Sequence, residues 1–356
     1  VSLRAISAAV DKSTTAVFQH FGSKDGLLLA TVERAVARTT ARHAELQAAL
    51  TGIPQRAPEL ANAVGFYILD QARDPANRLL LETSFKRRSL PQAASLLRGW
   101  DAMRRDFWKT LLDGERFAAL APVVATYSVA EQGFASALSH EPGYTLLLHD
   151  TLRALFAGGE GLQDADAATT PAIAWMAEHA TLPGPDAVRS AVPAMERLLD
   201  HAATTILGEG VTGLNLRALA KAAGVAPSLI IYHYGDVASF TKAAIWRAMI
   251  AGLPQSLNTA VPAEPGGADG WRLELERAVR PARDGDAAGF YVNYARILGQ
   301  LGLAAGRQRD LLPLILQLRA IEGVGIHRAS RALWPPALRL GRANAAAFAI
   351  WIKGRA

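Results

Sequence analysis

The 356-residue chain contains no cysteine, which excludes disulfides, thiolate metal centres and cysteine nucleophiles and agrees with a reducing compartment. Long apolar runs are missing as well. No stretch approaches the roughly 18 uninterrupted apolar residues of a membrane span, and the N-terminus lacks the basic-then-apolar layout of a signal peptide. The expected setting is the cytoplasm, with no membrane partner. The β-branched runs that mark strands are short and few, whereas alanine and leucine recur throughout and half of the residues are hydrophobic. That balance predicts an all-α fold.

The motifs of common enzymes are also absent. There is no glycine-rich phosphate loop, no His-Glu-x-x-His, no Gly-x-Ser-x-Gly and no paired metal-ligand spacing, and ARDGDAAG (282–289) lacks the spacing of a calcium loop. Catalysis, a metal and a cofactor are therefore not expected. The formal net charge of +6 suits a polyanionic partner without requiring one.

What the chain does contain is an internal repeat. Residues 2–35 (SLRAISAAVDKSTTAVFQHFGSKDGLLLATVERA) align without a gap to residues 215–248 (NLRALAKAAGVAPSLIIYHYGDVASFTKAAIWRA). Leu3, Arg4, Ala5, Ala9, His20, Gly22, Ala30, Arg34 and Ala35 match Leu216, Arg217, Ala218, Ala222, His233, Gly235, Ala243, Arg247 and Ala248. Where a core would require it the changes are conservative: Ile6 faces Leu219, Val17 faces Ile230, Phe21 faces Tyr234 and Val32 faces Ile245.

Each copy reads as a short helix, a tight turn, a second short helix and a longer third. Ser2 and Asn215 are placed to cap the first helix, which runs from Leu3 to about Val10 in the first copy. Asp11 and Gly224 occupy the turn, residue types that tolerate a left-handed helix end. Ser13 as a cap and Pro227 in a first turn then start a fresh helix. Two helices joined in this way make a helix-turn-helix.

Amphipathic stretches follow the first copy at about 24–50, 59–73, 76–88, 91–113, 121–139 and 143–157. Glycine, proline and acidic residues in 158–171 and 181–186 mark a connecting segment. The domains expected are a helix-turn-helix domain (1–43), a helical domain (44–157), a linker (158–186), a second helix-turn-helix domain (187–250) and a second helical domain (251–356). Within the last, helices are expected at 270–280, 285–304, 307–333 and 336–353, after the loop VPAEPGGADG. The helix at 187–208 has no counterpart before the first copy, so the first unit is expected to lack its leading helix and the second helical domain to be shortened.

The pattern Leu-Arg-x-Ile/Leu-Ala-x-Ala-Ala-Gly-Val, followed by an aromatic-His-aromatic segment, resembles the TetR (tetracycline-repressor) family of transcriptional regulators. The first copy carries Leu3, Arg4, Ile6, Phe18, His20, Phe21, Ser23, Lys24 and Leu27, reading HFGSKDGLL, and the second carries Leu216, Arg217, Leu219, Ala220, Ala222, Ala223, Gly224, Val225, His233 and Tyr234. The resemblance implies two DNA-binding domains, each attached to a helical domain that binds a small effector and dimerises. It further implies a repressor that releases double-stranded DNA when the effector binds.

On that reading Ser2, Ser13, Thr14, Thr15, Gln19, His20 and Lys24 are the DNA contacts of the first unit, with a recognition helix over about Thr14 to Phe21. Asn215, Ser228, Tyr232 and His233 are the corresponding candidates in the second. Two departures matter: the family's phosphate-contacting tyrosine is Phe18 in one copy and Ile231 in the other, so both lack that hydroxyl donor, and Val237 stands where the first copy has Lys24, which implies weaker binding by the second unit. For His20 and His233 alone, a phosphate donor and a histidine satisfied within the small core are both open. Phe66, Tyr67, Trp100, Phe107, Trp108 and Tyr127 are candidates to line an effector pocket, with Trp271, Phe290, Tyr291 and Tyr294 in the second half, against the alternative of plain core. The basic run Lys86–Arg87–Arg88 reads as a solvated helix end.

Two pairings are open: the halves associating within one chain as a pseudo-dimer, or homodimerisation through 121–157. The competing functional reading is a non-catalytic helical scaffold whose helix-turn-helix copies are relics.

Overall fold

The computed structural model describes residues 3–85, 90–157, 171–180, 189–250, 267–280, 289–336 and 339–355. Among them every regular element is a helix. The chain opens with α1 (Leu3–Ala9), α2 (Thr14–Phe21) and the long α3 (Lys24–Leu50). Then come α4 (Ala57–Arg73), α5 (Pro75–Phe85), α6 (Ala94–Leu111), α7 (Ala121–Leu138) and α8 (Pro142–Phe156). After α9 (Pro171–His179) follow α10 (Pro193–Glu209), α11 (Leu216–Ala223), α12 (Pro227–Tyr234) and α13 (Val237–Ile250). The last five are α14 (Gly267–Ala278), α15 (Phe290–Ala305), α16 (Leu312–Ala320), α17 (Val324–Leu333) and α18 (Arg342–Arg355). None of the described helices is long and apolar enough to cross a membrane.

The chain packs as two compact units, and they do not follow the tandem repeat. One contains the residues up to Ile53 with Arg73–Ala121; the other contains Pro54–Ala72 with Pro122–Ala356. Helices α4, α7 and α8, assigned by sequence to the first helical domain, thus pack with the second half. Within the segment 158–186, read as a linker, the described residues 171–180 hold α9, which lays Ala172 and Met176 against Leu147 of α8.

In the first unit the buried face of α3 (Val32, Ala35, Thr39, His43, Leu46) meets α6, whose Leu97, Trp100, Arg104, Phe107, Trp108 and Leu111 fall on one stripe at helical spacing. The His43 ring stands edge-on to Phe107, with centroids 5.3 Å apart.

In the second unit α8 packs on α18, and α15 packs on both α13 and α18. Where α7 crosses α15 the backbones nearly touch: a Cβ built on Gly302 would lie 1.7 Å from the Gly133 carbonyl oxygen. A side chain has no room there. Gly302→Val is expected to lower the thermal midpoint through a loss of about 1–3 kcal/mol, whereas Gly270→Ala, facing open space, should not.

The structure also carries a repeat that the residue pattern alone did not reveal. Pro122 and Glu131 of α7 recur, at the same 191-residue shift, as Pro313 and Glu322 around α16, and each helix follows a short 3-10 turn (Ala118–Leu120, Arg309–Leu311). Both glutamates are buried. One helix was expected over 307–333, but it breaks between Ala320 and Val324. Arg342 bridges the break, its guanidinium donating to the Ala320 and Glu322 carbonyls at 3.1 and 3.3 Å, so the freed carbonyls of the helix end are satisfied.

A buried charge network joins the two halves of the chain. Arg319 of α16 grips Glu131 of α7 through Nε (3.0 Å to Oε1) and Nη2 (3.4 Å to Oε2), while the Tyr127 and Tyr144 hydroxyls donate to the same carboxylate at 2.8 and 2.9 Å. Burial, followed by the Glu131 charge, pushes both tyrosines well above their ordinary pKa, with Arg319 opposing. Burial also disfavours a charged Arg319, but Glu131 outweighs it and the guanidinium is held more firmly protonated than usual. Alongside, Glu322 accepts a hydrogen bond from Lys353 of α18, and the Phe134 ring lies between the two cations, 5.6 Å from Arg319 and 5.5 Å from Lys353.

Candidate nucleic-acid interface

The repeat seen in sequence recurs in helix boundaries. At the same 213-residue shift α1 and α11 start at Leu3 and Leu216, α2 and α12 at Thr14 and Pro227, and α3 and α13 at Lys24 and Val237. The turn between the first two helices is left-handed in both copies, at Asp11 (φ 49°) and Gly224 (φ 69°). The first helix of copy one ends at Ala9, one residue earlier than Val10. Burial repeats too: Ser7 and Ala220, Val17 and Ile230, Val32 and Ile245, and Ala35 and Ala248 are all core positions. The same backbone path is therefore built twice from largely different residues.

Local chemistry explains each helix start. Ser13 Oγ accepts from the Ala16 amide (3.1 Å), Ser23 Oγ from the Gly26 amide (2.9 Å) and Asn215 Oδ1 from the Arg217 and Ala218 amides (both 3.1 Å). Asp236 caps α13 in place of Ser23, accepting from Ser239 at 2.6 Å. Ser13 and Asn215 are thus occupied with helix ends; Ser13 retains a hydroxyl proton to donate outward, and Asn215 its amide N–H groups. Ser2 lies outside the described residues, as does the Lys86–Arg88 run.

The predicted contact residues share exposure. Thr14, Thr15, Gln19, His20 and Lys24 are exposed in copy one, as are Ser228, Tyr232 and His233 in copy two, Tyr232 at 82%. Neither histidine is a core residue, which removes that alternative for both. Phe18 and Ile231, in place of a tyrosine, are also largely exposed.

The second copy is tied down from two sides. Arg247 of α13 bonds Glu196 (2.7 Å) and Asp200 (2.6 Å) of α10, while Gln300 of α15 accepts from the Val211 amide (3.0 Å) in the turn leading to α11. Arg296 of α15 donates to the Gly208 carbonyl at 3.2 Å. α10 and α15 therefore hold α11 to α13 by α13 and by the segment that leads into α11. Arg34, the counterpart of Arg247, makes no ion pair among the described residues.

Burial tends to raise the pKa of Glu196, but the Ser190 amide and then the Arg247 guanidinium outweigh it, leaving the carboxyl below its ordinary range. A depressed carboxyl stabilises the fold above the unfolded-state pKa of about 4.3, and that contribution is lost as pH falls through the lower folded value. Arg247→Met is therefore expected to cost about 1 kcal/mol at neutral pH, given how exposed the pair is, and progressively less in acid. Parallel thermal melts of parent and variant between neutral and acidic pH check this.

The aromatic residues proposed for an effector pocket do not form one set. Trp100, Phe107 and Trp108 are buried on α6 in the first unit, whereas Phe66, Tyr67 and Tyr127 belong to the second. Phe66 is 53% exposed and Tyr127 is engaged with Glu131, so neither lines an enclosed apolar pocket. In the second half Trp271 and Tyr291 are core, with Trp271 edge-on to Trp334 at 5.2 Å. The buried polar residues that the sequence did not single out are Arg104, Glu131, Gln300, Arg319, Glu322 and Lys353. The shared spacing of Glu131 and Glu322 from Pro122 and Pro313 was the available signal for two of them.

Comparison of the chain with protein-family models, with curated protein sequences and with solved structures returns no match.

Proposed function

We propose that this chain is a non-catalytic, sequence-specific DNA-binding protein, on the ground that the same helix-turn-helix path, left-handed turn included, is built twice with its second helix presenting polar side chains to solvent. More particularly, it is a tandem regulator of the TetR type, a repressor that a small-molecule effector releases from DNA. Helices α2 and α12 enter the major groove. Thr14, Thr15 and Gln19 read base edges in the first unit, and the exposed Phe18 and Ile231 suit thymine methyl groups. His20 and Lys24 meet phosphates, Lys24 at the start of α3, where the helix dipole also favours an anion.

The two halves pair within one chain. Supporting this are the Glu131–Arg319 bond, which links residues from the two halves, and the packing of α8 on α18. One chain then presents two unlike recognition helices, and its target is two unlike half-sites about 34–36 Å apart.

Lys24→Ala is expected to weaken binding uniformly across sequences and to reduce the slope of log K against log salt by about one. Val237→Lys should do the reverse. Fluorescence anisotropy on a duplex target over a salt series measures both. Duplex binding that fails even at low salt would return the chain to the scaffold reading.

A further inference from the structure

We propose that the first unit contains a binding site for a small aromatic carboxylate, centred on Arg104 of α6. Arg104 is 2% exposed, yet its Nε and Nη2 have no hydrogen-bond partner among the described residues. Its nearest acid is Asp101, one helical turn away, and the Nη1 to Oδ1 distance of 3.9 Å is too long for a hydrogen bond. Asp101 stands at ion-pair range of Nη1 alone, and burying the remaining N–H groups of a guanidinium without acceptors is unfavourable, so the site is incomplete as it stands.

The chain itself shows what completes such an edge. In Arg319 the same two nitrogens, Nε and Nη2, take the two oxygens of the Glu131 carboxylate. They form the side-on fork of the guanidinium, whose parallel N–H bonds match a planar carboxylate. In Arg104 that fork is open. The Arg104 guanidinium lies over the Trp100 ring at 4.6 Å, and the buried Trp100 indole N–H also has no acceptor among the described residues. Phe107 and Trp108 follow on the same buried stripe of α6, with His43 of α3 edge-on to Phe107. Three unused donors among aromatic rings define the ligand: one carboxylate for the fork and an aromatic ring for the surroundings. That this ligand is the effector rests on the regulator reading; its binding does not.

The test is isothermal titration of the full chain, without DNA, with sodium benzoate, phenylacetate and 1-naphthoate. The neutral amides and inorganic sulfate are matched at constant ionic strength. Saturable binding of at least one carboxylate, with no response to its amide or to sulfate, is expected. Arg104→Met and Arg104→Gln should each weaken that binding by about 10- to 100-fold. Because the fold gives this buried charge only a long contact with Asp101 and the face of Trp100, Arg104→Met should not lower the thermal midpoint of the free chain. Absence of carboxylate binding, an equal response to the amide or to sulfate, or undiminished binding in either variant would overturn the proposal. With no DNA in the cell, none of these outcomes depends on whether the chain is a regulator.

Discussion

Replacing Arg319 with methionine is expected to destabilise the second unit by about 3–5 kcal/mol, because it leaves the Glu131 carboxylate buried without its cation. The side chains of both Glu131 and Arg319 are fully buried. The two tyrosine hydroxyls would then remain on the charge, with Lys353 bonded to Glu322 instead, and hydrogen bonds from neutral donors replace only part of an ion pair in a medium of low polarity. A loss of this size lowers the thermal midpoint by roughly 10 °C in a unit of this length. Replacing both partners, as Glu131→Gln with Arg319→Met, should recover much of the loss, since the penalty lies in the orphaned charge rather than in the missing bond. If Arg319→Met melts with the parent, the network does not join the halves in solution.

Thr15→Asp is expected to weaken duplex binding by about 1–3 kcal/mol, or about 5- to 150-fold, while leaving the fold intact. Thr15 is exposed in the first turn of α2, where a carboxylate is favourable to the helix dipole but would face phosphates and electronegative base edges across the groove. Any loss of affinity is therefore not a loss of structure, and an unchanged melting curve verifies this. Ser228 is the equivalent residue in α12. Because the second unit has Val237 in place of the lysine proposed to meet phosphate, and would on that reading contribute less to affinity, Ser228→Asp should cost under about threefold. Equal losses at both positions would make the units equivalent and remove the distinction drawn between them.

Helix placement was legible wherever local chemistry governs it. The 213-residue repeat, the residues in left-handed turns and the caps at Ser13 and Asn215 all fell where side-chain type requires them, and α3 occupies the predicted 24–50. The break between α16 and α17 was not legible, because a guanidinium from α18, about twenty residues onward, satisfies the interrupted carbonyls. Nor was the division into units. A boundary placed by glycine, proline and acidic residues marks where the backbone lacks regular structure, not where packing stops, and α4, α7 and α8 pack with the second half. Of the site, the exposed polar face of α2 could be read from residue type and spacing. Arg104 and the Glu131–Arg319 pair were not, since a charged residue on an amphipathic helix reads as solvent-facing and the members of the pair lie 188 residues apart.

Whether one chain carries two unlike DNA-reading units is decided by selecting bound duplexes from a random pool and measuring the mass and salt dependence of the complex. One chain per duplex is expected, on an asymmetric site with two different half-sites one helical turn or a multiple of it apart, with log K falling linearly with log salt. No duplex retained at low salt, or a palindromic site occupied by a single chain, would contradict it.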